Sequence, residues 1–511
     1  MRLIECGLPP SGFMKGVDAV EGKAVSPSTR TDPRYIAKIA MALVIYVLFQ
    51  FVLPPAPPIT REGMGVLGVF LSTIFLWVTV GTGWASLLCV GMYGLTGVTS
   101  ASGLFSATWG NVMVPFVVAC FLLNNAMAET GLTHRFALWF ITRPGCKGRP
   151  WRIMFMFFLS ITLITLVSTS SPIVIMYMAI AEEIFISCGY EKGDKFSKIV
   201  MISIFFVCQG AMCNTPISHV LIPMIFEYIY QDFGIVITTF QYSKVFMLYG
   251  IYYFAAFWLI FRYLMKPDVS KLVNLDAEKI RAEQKPMSRE ERVVLAVFMT
   301  LVFFWLAPDL LALIPGLETI STGMSRLGQG IPALVAVGVL ASVKLGGKPV
   351  LDINAANKKV IWNTVYMMAA VMGTGYLFGL DSSGIKQFLL ENIGPMMIGL
   401  PPSIFVFVAL LGIIIMTSFL SNTLSAAMYT VIIPIAQMVS DVNPIALGLC
   451  IAAAVNIADA LPSGSPAASM ASGSGWTPVS YQIKYGFLLA LISLAGFYFI
   501  AYPLCSTMFP V

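Results

Sequence analysis

Residues 403–439, SIFVFVALLGIIIMTSFLSNTLSAAMYTVIIPIAQMV, carry no charged side chain and interrupt their apolar run near the middle, at Ser421-Asn422-Thr423. A membrane-spanning helix needs about 20 apolar residues. This stretch suits two short arms, and its polar cluster falls between them. It reads as a re-entrant hairpin that enters and leaves on one side. Residues 153–186 read the same way around Ser168-Thr169-Ser170. Further apolar segments lie near 35–53, 63–81, 84–98, 111–129, 199–230, 245–264, 293–314, 328–343, 361–380, 446–461 and 485–505. Of 511 residues, 58% are hydrophobic and 11% charged, where soluble domains carry about 25% charged residues. A mean hydropathy of +0.84 over the whole chain excludes a soluble enzyme with one anchor. The expected fold is an all-α polytopic membrane protein.

Basic loops set the orientation. With the N-terminus in the cytoplasm and neither hairpin crossing, one side holds Arg135, Arg143, Lys147, Arg149, Arg152, Lys192, Lys195, Lys198, the run from Lys266 to Arg292, Lys344, Lys348, Lys358 and Lys359. The other holds little beyond Arg61, Lys244, Arg326 and Lys386. Eleven crossings plus two hairpins, with the C-terminus outside, satisfy this rule best, and the expected location is a bacterial inner membrane. Residues 1–34 read as a cytoplasmic tail, and 266–291 as a connector between membrane halves 35–265 and 292–511. The net charge of +6 is explained by these loops without nucleic acid. The nine cysteines show no C-x-x-C pair and read as small packing residues.

The halves repeat. Trp109, Gly131 and Ser168 match Trp362, Gly384 and Ser421, and further on Thr215-Pro216 matches Ser465-Pro466. One half carries a hairpin facing the cytoplasm and the other a hairpin facing out, an inverted repeat of the kind that secondary transporters build around a midplane site. Polar breaks at 168–171, 213–218, 421–425 and 462–475 mark two hairpin tips and two broken helices, 199–230 and 446–480. Interrupted backbone survives in a membrane only where it is buried in protein or lines a wet cavity. Residues 153–190, 199–243 and 403–483 contain no Lys or Arg. Helix ends contribute only about half a charge each, so a dianion bound there would need cations beside it. A neutral solute would fit the same bareness.

The pattern resembles the divalent anion:sodium symporter family, whose members carry dicarboxylates, citrate or sulfate. The resemblance rests on Ser421-Asn422-Thr423 and, between Ala453 and Phe487, on Leu461-Pro462, Ser465-Pro466, Gly473-Ser474-Gly475 and Lys484-Tyr485-Gly486-Phe487. It implies a homodimer of scaffold and moving transport domains, an elevator motion and sodium co-transport. It also implies substrate contacts at Thr169, Ser170, Asn422, Thr423, Thr215, Ser465 and Pro466. Sodium would be held by Thr417, Ser421, Asn422, Gly464 and Pro466 in the second half, and by Ser168 and Asn214 in the first. The first half departs from the pattern. Its tip lacks the Asn, and the position matching Thr417 is Ile164. A sound second cation site and a weakened first one are expected.

Asp459, repeat partner of Gln209, and His219 are candidates for coupling, because ionisable groups inside membranes are functional candidates by default. No phosphate-binding G-x-x-x-x-G-K-[ST] loop, H-E-x-x-H zinc signature or catalytic dyad occurs, so no enzyme is expected. Two other carriers remain open: a sodium-independent anion exchanger, and a carrier of sulfate, sulfonate or another organic acid.

Overall fold

The computed structural model describes residues 33–275, 286–312, 314–388, 391–392, 395, 400–419, 422–462 and 464–510. The expected tail falls outside these but for its last two residues, as do Ser421 and part of the connector. The described chain is helical almost throughout. Its strand pair, Lys344–Leu345 with Lys348–Pro349, is a two-residue hairpin. Each of the eleven apolar segments carries helix, and 199–230 and 446–461 also run into breaks. Among the described residues, seven helices are long and apolar enough to cross a membrane, or nine if two bent pairs are each one span. Four apolar helices are shorter: Gly83–Leu95, Pro150–Thr165, Asn422–Ala436 and Pro444–Ala454. The 16 residues of Pro150–Thr165 make about 24 Å of helix, short of the ~30 Å apolar core of a bilayer.

Short helices are what hairpins and interruptions require. Pro150–Thr165 and Ser170–Cys188 fold back on each other through a turn at 166–169. Tyr177 on the second arm donates to Ser160 Oγ on the first at 2.9 Å, and its ring packs edge-on against Phe157. The second pair of arms is Pro402–Phe419 and Asn422–Ala427, the latter continued by Tyr429–Ala436. The polar cluster expected as a break over 421–425 is thus helical from Asn422 onward. Asn and Thr suit such a helix start, because their side-chain oxygens can serve the orphan amides of a first turn.

The centre of the molecule is two helices apolar on all sides, as core helices must be. Every residue from Ile199 to Met212 in Lys195–Met212 is buried, and so is every residue of Pro444–Ala454. Asn443 starts the second by accepting from Ala446 N–H, with Pro444 at the first helical position. Both helices stop inside the protein. The first resumes at Leu221–Phe233, so its break spans 213–220. The second resumes at Pro466–Gly473, so its break spans 455–465 and not 462–475. Ser465 and Pro466 begin a helix instead of ending one: Ser465 Oγ accepts from Ala468 N–H at 3.1 Å, and proline needs no amide partner at that position.

Two long helices flank this centre, Thr239–Leu259 and Val479–Gly496. Tyr249 stacks on Phe497 and donates to Ser493 Oγ. Tyr253 lies flat on Gly210, where a β-carbon would overlap its ring. Pro33–Val47, Arg61–Thr79 and Gly83–Leu95 gather with Trp362–Gly379 to one side, around a separate core that includes Val66, Tyr93 and Leu377. The repeat landmarks share a conformation. Gly131 (φ 78°) precedes helix Leu132–Ile141, and Gly384 (φ 66°) precedes Ile385–Phe388. Both lie in the left-handed region that only glycine enters freely.

At the end of the connector, Arg135 meets Glu291 at 3.0 Å, and Glu291 is 5% exposed. Ser288 and Glu291 cap helix Arg289–Ala312 reciprocally, each side chain accepting the other's amide. Glu291→Ala removes the Glu291 half of the reciprocal cap and takes the carboxylate away from Arg135. It is expected to cost about 2–4 kcal/mol, read as a lower unfolding midpoint by intrinsic fluorescence in detergent. An unchanged midpoint contradicts this.

Candidate functional site

A helix that stops in an apolar interior leaves its last carbonyls unpaired, and each costs several kcal/mol if nothing donates to it. Side chains in the breaks and on the elements around them answer that demand. At the first, Ser218 Oγ lies 2.7 Å from both Met212 O and Thr215 O, and Tyr242 donates to Cys213 O at 2.8 Å. At the second, Asn456 turns its amide back to Ala452 O at 3.0 Å, Ser469 donates to Pro462 O and Thr417 donates to Val455 O at 2.6 Å. Two contacts cross between the breaks. Gln209 Nε2 donates to Asn456 O at 3.0 Å, and the Cys213 thiol points at Ala453 O. The breaks therefore sit side by side.

Each hairpin turn meets a break. Thr215 donates to Leu166 O in the first turn. In the second half, Thr417 closes the first arm, and a β-carbon at Gly464 would press on Thr417 O and Ala458 O. The resumed helix Pro466–Gly473 packs along Ser170–Cys188, and Leu221–Phe233 packs against Asn422–Ala427. Four helix N-termini, at Ser170, Leu221, Asn422 and Pro466, thus belong to neighbouring elements. At the first turn Thr169, in N-cap position, makes no side-chain cap hydrogen bond, and a helix start suits an anion. Thr169 and Asn422 are half-buried and Pro466 is exposed, while Ser168, Ser170, Thr215, Thr423 and Ser465 are buried.

The two halves differ at the turn. Thr417 Oγ1 stands 2.6 Å from Val455 O and 2.8 Å from Asn422 Oδ1. One hydroxyl proton can serve only one of these acceptors, so three oxygens share a single hydrogen beside Gly464. Such a surplus of lone pairs suits a small hard cation. In the first half the buried side chain at the matching position is Ile164. The hydroxyl sits one residue on, at Thr165, where it returns to Ile161 O and touches the Cys208 thiol. Asn214 does not lie open at the turn: its amide packs on Gly250 of the flanking helix, with Oδ1 unpartnered. His219 accepts from Leu221 N–H through Nδ1. Asp459 is fully buried in the second break. Sequence reasoning missed Val455 and Asn456, the first a backbone carbonyl with no signature, the second an amide in a run otherwise read as apolar helix.

Residues 34–504 match the family described as the sodium:sulfate symporter transmembrane region. The chain belongs to that family. Among curated relatives, the sodium-dependent dicarboxylate transporter SdcS of Staphylococcus saprophyticus is 26% identical over 464 residues, covering 85% of this chain and 86% of the relative. SdcS of Staphylococcus aureus strain RF122 is 25% identical over 450 residues, covering 84% of each chain. Two solved structures share the fold at 12% identity. The YdaH transporter of Alcanivorax borkumensis has a TM-score of 0.56, covering 93% of this chain and 98% of its own. MtrF of Neisseria gonorrhoeae has a TM-score of 0.52, covering 97% of each. Family membership makes this chain a multi-pass integral membrane protein and a secondary transporter, not an enzyme.

Replacing Thr215 separates its hydrogen bond from its volume. Thr215→Val leaves Leu166 O without a donor and should cost about 1–3 kcal/mol, whereas Thr215→Ser keeps the donor. Fluorescence-detected size-exclusion chromatography after heating should find fewer intact particles for the valine variant only. Equal survival of both contradicts the assignment.

Proposed function

We propose that this protein is a sodium-coupled symporter of a small anion, a dicarboxylate, working by an elevator-type movement. The arrangement at Thr417 carries the reading: three oxygens of the turn and break share one proton beside a glycine, and sodium is the cation that would complete them. Sodium bound there by Thr417, Asn422 and backbone near Gly464 supplies positive charge next to the substrate, in segments without Lys or Arg. Ser421 and Pro466 complete the set by the same reading. A carboxylate of the substrate would meet Asn422 and Thr423 at one turn and Thr169 and Ser170 at the other, with Thr215 and Ser465 behind them. The relatives named for sodium-dependent dicarboxylate transport support the choice of ion and solute.

The moving body would be the two hairpins, the interrupted helices and their flanking pair. The scaffold would be the side containing Arg61–Thr79 and Trp362–Gly379, with a second copy completing a dimer across it. The halves would be related by inversion, with the N-terminus inside and the C-terminus outside a bacterial inner membrane. Ile164 favours a second reading. With no hydroxyl at that position and the Asn214 side chain turned onto Gly250, sodium would bind weakly beside Ser168, and the carrier would exchange one anion for another. Sulfate or a sulfonate in place of a dicarboxylate is the remaining substrate class.

Proteoliposomes decide between these. The symporter takes up succinate only with an inward sodium gradient, while an exchanger takes it up whenever the lumen is preloaded with a related anion. Sulfate as competitor separates the substrate classes. Asn422→Ala is expected to reduce sodium-driven uptake to background and Thr169→Ala to reduce it less, because the second turn holds the fuller oxygen set. Equal losses contradict the asymmetry.

A further inference from the structure

The breaks account for their carbonyls but leave a group of side-chain oxygens with nothing to accept from. Neither oxygen of Asp459 has a hydrogen-bond partner, and its exposure is 0%. Gln209 Oε1, Asn456 Oδ1 and Asn214 Oδ1 are likewise buried and unpartnered. Gln209 and Asn214 lie at the end of the first central helix and in its break, and Asn456 and Asp459 in the second break. Gln209 bonds the backbone of Asn456, three residues before Asp459. Asp459 lies within electrostatic reach of Cys213, Tyr249 and Tyr253. Asn214 follows Cys213 and rests on Gly250, the residue after Tyr249.

Three tyrosines and two carboxamides send their protons elsewhere, while Gln482 Nε2 on Val479–Gly496 is buried without an acceptor. Tyr242 donates to Cys213 O, Tyr249 to Ser493 Oγ and Tyr253 to Phe206 O. The amides of Gln209 and Asn456 donate to Asn456 O and Ala452 O. Asp459 forms no ion pair among the described residues. A buried carboxylate and three carboxamide oxygens without a donor cost much free energy unless a partner joins them. An all-oxygen set suits a hard cation. One negative charge balances a monovalent ion, whereas a divalent ion would leave buried positive charge.

We propose that Asp459, with the side-chain oxygens of Gln209, Asn456 and Asn214, binds a monovalent cation between the two interrupted helices, apart from the site at Thr417. The ion joins both breaks, so it ties the halves of the transport centre together, and its charge adds to that of the Thr417 site in offsetting a dianion. The inference takes this ion to be sodium, which rests on the proposed function.

Sodium binding to purified protein in detergent, measured by equilibrium dialysis with radiolabelled sodium, tests this without transport. Wild type should bind one more sodium per protomer than Asp459→Asn, and Gln209→Leu should show the same loss. Thr417→Val should lose a different ion, so Asp459→Asn combined with Thr417→Val loses two. The asparagine side chain removes a buried charge at equal volume, so this variant should stay folded. If it does not, Gln209→Leu carries the test. Undiminished binding in both Asp459→Asn and Gln209→Leu overturns the inference, including the case in which Asp459 holds only a proton. Loss in Thr417→Val with none in these two overturns it while sparing the sodium-coupled reading. Loss in Asp459→Asn with none in Thr417→Val supports it and overturns the turn site. A wild type that binds no sodium overturns both.

Discussion

Two fully buried helices end in the middle of the protein, and the rest of the structure follows from what their loose ends require. Hydrocarbon offers no water to the last carbonyls of Lys195–Met212 or Pro444–Ala454, so protein must supply the donors. At and just past these ends, Ser218, Thr417, Asn456, Gln209 and Tyr242 do so. Most of these donors sit on neighbouring elements. Satisfying the backbone therefore brings hairpin turns, breaks and flanking helices into one cluster, and the cluster is the site.

The same donors set the electrostatics. Each hydroxyl or amide proton used on a carbonyl is unavailable to a side-chain oxygen nearby, and no basic side chain compensates in 199–243 or 403–483. Oxygens accumulate near Thr417 and near Asp459. Amides accumulate at the helix starts, where Thr169 adds no cap of its own. A centre built this way offers places for cations and for an anion from largely neutral parts. The halves differ in how far they go: Ile164 fills with a methyl-bearing side chain the position where Thr417 brings a hydroxyl, and Thr165 spends its proton within its own helix.

Much of this was legible in the sequence, because the membrane enforces simple rules. Uninterrupted apolar runs became helices, and the first polar cluster became a turn between arms, while Asn422-Thr423 of the second begin a helix. Gly131 and Gly384 marked equivalent corners because both need the left-handed backbone. Boundaries were less legible. Ser465-Pro466 read as a breaker, yet serine and proline are also how a helix begins, and the break starts earlier, at Val455, where no proline or glycine announces it. Asn214 carried a ligand's chemistry but is turned onto Gly250, a packing outcome that one strand of sequence does not encode. The oxygens of Val455 and Ala458 had no signature at all, since any residue provides a carbonyl.

The most direct test of the central claim is amide hydrogen exchange of the purified protein in sodium compared with choline. If the loose helix ends and turns form one cluster completed by cations, sodium slows exchange across residues 455–465 and at the turn after Thr417, and affects the first turn at 166–169 less. Identical exchange in the two salts at these segments would contradict the account.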